Sequence, residues 1–150
     1  MLRRLLMVLT ATIVVLSLGA QSAQAADGYQ ETTPDNTGNV SCQILVGAPS
    51  YGGFGCFHAN GDYVYVTDSR RDGNSVAVQW KLANSSRHGL IRNKDGAGLL
   101  SNNRGVVNKD FPEGDQVAMR VGLCSVSSTR DCHDPGDYDW ISGWQWAAVS

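Results

Sequence analysis

Residues 57–82 constrain the fold more than any other stretch of this chain. Tyr63-Val64-Tyr65-Val66-Thr67 alternates residue by residue, residues 68–74 break the pattern, and residues 75–82 resume it. The period of two is that of a β-strand rather than a helix, and two such runs around a polar, glycine-containing break predict a β-hairpin. In the second arm Val76, Val78, Trp80 and Leu82 share one face, with Ala77, Gln79 and Lys81 on the other. In the first arm Val64 and Val66 form the inward pair, which turns Tyr63 and Tyr65 outward. Such a hairpin does not stand alone, because ordering each residue costs ~1–2 kcal/mol of backbone entropy. A second sheet has to cover the valine face.

The first residues belong to a different kind of segment. Arg3 and Arg4 precede an uncharged, mostly apolar run over residues 5–20, and Ala23-Gln24-Ala25 supplies a small-residue cleavage site. The pattern is that of a secretory signal peptide over residues 1–25. Its apolar run falls short of the ~20 residues a membrane span needs. Removing it leaves ten basic side chains against fourteen acidic ones, a net charge of −4. No electrostatic reason to bind nucleic acid or an anionic membrane remains. A secreted, extracellular monomer is expected.

All four cysteines, Cys42, Cys56, Cys124 and Cys132, follow the cleavage site. An even set in a secreted chain implies two disulfides. Of the three pairings, Cys42–Cys56 and Cys124–Cys132 are favoured, since each pair is close in sequence and brackets a turn-rich segment.

Residues 26–40 are polar and without period, and are read as a disordered N-terminal lead-in. Residues 41–150 then form a single domain. A short strand is expected at 41–46, a Gly/Pro/Ser-rich loop at 47–55, and a strand entering at Cys56, with Asn60-Gly61 as a turn into Tyr63. One short strand is expected near 88–92, and Leu99, Leu100, Val106 and Val107 suggest a small hairpin around 102–105. Over 116–124, Val117, Met119, Val121 and Leu123 share one face while Ala118 and Arg120 share the other. Residues 138–149 read as a closing aromatic strand with Trp140, Trp144 and Trp146 on one parity and Gly143 as a bend. Short strands with frequent Gly and Asn turns predict an all-β, small antiparallel β-sandwich, with a small β-barrel as the alternative.

The run Cys56-Phe-His-Ala-Asn-Gly-Asp-Tyr-Val-Tyr-Val-Thr-Asp68, then Asp72-Gly-Asn-Ser-Val-Ala-Val-Gln-Trp80, Arg92-Asn-Lys-Asp-Gly96, Asn108-Lys-Asp-Phe-Pro-Glu-Gly114 and a Trp-containing end resemble uncharacterised small secreted proteins of filamentous soil bacteria. The resemblance covers most of residues 26–150. It implies a secreted β-sandwich and carries no activity. Secreted protease inhibitors of similar size differ in cysteine spacing, so inhibition remains only a function class, with residues 47–55 and 125–131 as the loops it would use.

Chemistry-bearing residues are sparse. Asp68 and Asp72-Gly73 match an EF-hand loop in part, but Arg70 and Gln79 occupy ligand positions, so ordinary turn chemistry is the reading. Asp131, Asp134, Asp137 and Asp139 cluster around His133 and are the metal candidates, although no cofactor is expected. His58, His88 and His133 fall in no nucleophile elbow, zinc-binding helix or carboxylate pair, so no catalytic residue is assigned and a small hydrolase is the least favoured class. Tyr63 and Tyr65 are the candidate ligand-binding residues, because planar rings on a sheet can stack on sugars or anchor a protein. The expected function is non-enzymatic recognition of an extracellular polysaccharide or protein.

Overall fold

The computed structural model describes residues 27–97, 103–125 and 131–150. The signal segment, the Leu99-Leu100 arm and most of the loop at 125–131 lie outside these residues. The chain is all-β, in two sheets that do not close into a barrel, with disulfides Cys42–Cys56 and Cys124–Cys132 as expected.

In chain order the strands are β1 (Gly28–Glu31), β2 (Thr33–Pro34), β3 (Ile44–Ala48), β4 (Gly53–His58), β5 (Tyr63–Asp68), β6 (Asn74–Leu82), β7 (His88–Arg92), β8 (Arg104–Asn108), β9 (Gln116–Ser125), β10 (Asp139–Trp140) and β11 (Gln145–Ala148). One sheet runs β1-β7-β6-β9-β10, with β11 also on β9; the other runs β2-β8-β5-β4-β3.

The predicted hairpin of residues 63–82 is not formed. Both of its arms are strands, but β5 pairs with β4 and β8 while β6 pairs with β7 and β9, in the opposite sheet. Alternation reports which side chains point inward and says nothing about which strand accepts the hydrogen bonds. Val64 and Val66 therefore look across the core towards the face carrying Val76 and Val78, and all four are fully buried. Residues 69–73 carry the chain from one sheet to the other. The true hairpin is β4–β5, whose Asn60-Gly61 turn joins His58 to its partner Tyr63.

Trp80 anchors the core, fully buried, with its ring 4.9 Å from that of Phe111. The sheets approach closely at Gly55, where a Cβ would lie 2.3 Å from Val78 Cγ2. Lys109 is also buried, its Nζ 4.5 Å from the Trp80 ring centroid and donating to Gln30 Oε1. Burial pushes its pKa down to about 8.

The segment read as a disordered lead-in is structured over residues 28–34. β1 adds to β7 in parallel, the exception to an otherwise antiparallel sandwich, and β2 adds to β8 in the other sheet. Thr32 sits buried between them and donates its backbone N–H to Arg92 O at 2.9 Å. The segment holds few apolar residues; backbone pairing along the sandwich edge, rather than burial, orders it, and composition does not report that.

Candidate binding face

The strands β6 and β9 pair along nine residues, from Asn74↔Ser125 to Leu82↔Val117. Their inward residues fill the core, so the same alternation turns Gln79 and Lys81 of β6 and Ala118 and Arg120 of β9 outward, in register as Gln79↔Arg120 and Lys81↔Ala118. The closing aromatic segment then lies along the free edge of β9. It pairs twice, with Trp140 opposite Gly122 and Trp146 opposite Ala118. Between these ladders residues 141–144 leave the strand, held by Ile141 N–H donating to Val121 O and Val121 N–H donating to Ser142 Oγ, both at 2.9 Å. The single strand expected over 138–149 is thus two short strands around a bend.

The bend brings Trp144 to the same pair of cations that the other two indoles meet. Arg120 lies 3.9 Å from the Trp140 ring centroid and 4.8 Å from that of Trp144. The Lys81 ammonium lies 4.5 Å from Trp144 and 5.6 Å from Trp146. Trp140, Arg120, Trp144, Lys81 and Trp146 therefore alternate ring and cation across the outer face, each contact being of the cation–π kind. Arg120 Nε donates to Gln79 Oε1 at 2.8 Å, which fixes the guanidinium. A side chain at position 122 would spoil the arrangement, since its Cβ would stand 2.8 Å from Trp140 Cε3. Trp146 is 48% exposed, the most exposed tryptophan among the described residues.

Beyond Gln79 the face continues into a shallow pocket of about 120 Å³ lined by Tyr29, Gln79, His88, Leu90, His133 and Pro135 among others. The Cys124–Cys132 disulfide and Tyr138 build its neighbouring wall, packing with Ala77 and Leu90 into a small second core outside the sheet. Tyr138 donates its hydroxyl to Cys132 O at 2.8 Å and stacks on Trp140 with centroids 5.7 Å apart. The disulfide loop thereby joins the pocket to the tryptophan ladder.

The expected ligand-binding residues lie on the other sheet. Tyr63 is 37% exposed, but Tyr65 is only 7% exposed, capped by the Arg104 guanidinium 5.1 Å from its ring. Both point away from the core, as the alternation requires; Arg104, drawn in by Asp35, leaves Tyr63 without an exposed neighbouring ring. The four aspartates do not converge. Asp134 Oδ1 accepts from Gly136 N–H at 2.7 Å and caps a short 3-10 turn (Pro135–Asp137), Asp137 accepts from Asp134 N–H, Asp131 accepts from His133 N–H, and Asp139 sits in β10. Among the described residues no group of three or more His, Cys, Asp or Glu side chains is placed to hold a metal ion.

His58 and His88 contact backbone carbonyls of Asn60 and Ser86 through Nδ1, while His88 and His133 both line the pocket. Among the described residues that line it there is no serine or carboxylate. Residues 47–55 form the β3–β4 hairpin with Tyr51 exposed near its tip, rather than a loop free of the sheet.

Compared with family models, curated proteins and solved structures, the chain has no significant match.

The ladder was missed in sequence although its parts were visible. The outward parity of Gln79 and Lys81, that of Ala118 and Arg120, and the shared parity of the three tryptophans all stand in the chain. Only the pairing of β6, β9, β10 and β11 puts them on one surface.

Proposed function

We propose that this protein is a secreted recognition module that binds an extracellular polysaccharide through the outer face of the β6–β9 sheet. The observation that carries the reading is the row of three tryptophans in cation–π contact with Arg120 and Lys81, with Trp146 about half exposed at its end. Indoles fixed in place offer large apolar area at little entropic cost on binding, and the polar side chains between them supply directional contacts. The adjoining pocket gives the surface a concave end.

One further feature supports an extracellular setting. The two disulfides suit an oxidising compartment. No helix among the described residues is long and apolar enough to cross a membrane.

Retention on a panel of insoluble polysaccharides, neutral and acidic, tests the reading. Trp146→Ala should weaken retention by about tenfold or more, as loss of an exposed aromatic anchor does. Tyr63→Ala, on the opposite sheet, should leave it unchanged. Equal retention of the wild type and a folded Trp146→Ala variant removes this face from consideration.

A further inference from the structure

We infer that the ligand of this face is an acidic polysaccharide, whose carboxylates meet Arg120 and Lys81 while its sugar rings meet the exposed tryptophan and the pocket. The inference rests on the recognition reading above and gives it a chemical class.

The first argument is the charge on the face. Two other arginines find acids, Arg104 with Asp35 and Arg87 with Asp27, while Arg70 donates to Ser50 O and Arg92 to Ser75 Oγ and Asp131 O. Among the described residues Arg120 and Lys81 pair with no carboxylate. Two neighbouring cations, set close together in a chain of net acidic charge, are left without counter-charge. Burial lowers the pKa of Arg120, the direction expected of a desolvated cation with no acid beside it.

Geometry supplies the second argument. The Arg120 guanidinium carbon lies over two indole rings, 3.9 Å and 4.8 Å from their centroids, and its Nε is committed to Gln79. A guanidinium carries its donors in one plane, in a fork that matches a carboxylate, and of the Arg120 guanidinium donors only Nε has a hydrogen-bond partner among the described residues. The Gln79 bond and the indole contacts restrain those donors before any ligand arrives, which lowers the entropic cost of using them.

The third argument is the repeat. Along the face, cation alternates with ring, and beyond Gln79 comes a pocket with an apolar floor at Leu90. A polymer of uronic acids likewise alternates a carboxylate with a ring whose C–H face is apolar. An extended acidic peptide offers charge without that planar partner.

The test uses the full secreted chain and beads of cross-linked polygalacturonate, alginate and hyaluronan, the same three polymers with their carboxylates methyl-esterified, cellulose, and polyglutamate. Retention on at least one acidic polysaccharide that falls on the order of tenfold or more after esterification supports the inference, since that is the size of a lost charge-assisted contact. Arg120→Gln with Lys81→Gln should reproduce the loss. Because those substitutions also disturb the tryptophan stack, the esterified polymers, read with the unaltered protein, decide. Retention on cellulose that matches the acidic polymers and ignores esterification overturns the acidic assignment and leaves recognition standing. Retention on polyglutamate alone transfers the face to an acidic protein, and no retention on any bead overturns both readings.

Discussion

Asp35→Ala is expected to lower stability by about 3 kcal/mol or more, as removal of one partner from a buried ion pair does. Asp35 is nearly fully buried and meets Arg104, whose side chain is 15% exposed. The same carboxylate accepts from the backbone N–H and hydroxyl of Thr37 at 3.0 and 2.7 Å. Arg104 in turn donates to the carbonyls of Thr37 and Gly38 and lies over the Tyr65 ring. Without Asp35 the guanidinium keeps its burial and loses its counter-charge. The effect should reach β1 and β2, since the same segment pairs with both sheets. Urea titration gives the magnitude, and amide exchange at residues 28–34 gives its location. A loss below 1 kcal/mol, or exchange at these amides unchanged, contradicts the tie described here.

The second large effect depends on pH. Asp68 is buried at the end of β5, and burial, together with the charge of Asp72, pushes its pKa up to about 6 against the N–H groups that favour ionisation. Its unfolded value is near ~3.9. A folded-state pKa raised above the unfolded one means that the contribution to stability is fully present below about pH 4 and lost as pH rises through about 6. Two pK units correspond to about 3 kcal/mol as an upper figure. Asp62, whose pKa is also raised chiefly by burial, adds in the same direction. In Asp35 burial raises the pKa, but the Thr37 and Arg104 contacts outweigh it and lower the value, so its stabilisation fails only as pH falls through that depressed pKa. Lys109 acts in a separate window, its penalty easing as pH rises from about 8 towards its unfolded value. The wild type should therefore unfold at higher urea at pH 4.5 than at pH 7. Asp68→Asn, permanently neutral, should be stabilised at pH 7 and should flatten that slope. An unchanged slope in the variant would place the titration elsewhere.

The carboxylates also mark how sequence and structure divide. Asp68 and Asp72 stand in the sequence as a turn, and the structure agrees: Asp68 Oδ1 accepts from Arg70 N–H and Asp72 Oδ1 from Asn74 N–H. That Asp68 is buried while Asp72 is exposed was not legible, because the alternation of β5 ends at this residue. Tyr63 and Tyr65 were rightly placed on one outward face, yet Arg104, about forty residues away in sequence, covers one and not the other.

The chain itself determined the two-residue period of β5, β6 and β9, hence which side chains enter the core, and the proximity in sequence that pairs Cys42 with Cys56 and Cys124 with Cys132. These are local properties, set by the pleat and by short loops. Tertiary structure alone decided that β5 and β6 face each other across the core instead of pairing, that residues 28–34 join both sheets, and that three tryptophans meet Arg120 and Lys81. Each of these depends on which distant strand supplies the hydrogen bonds. Side-chain alternation is the same for every possible partner.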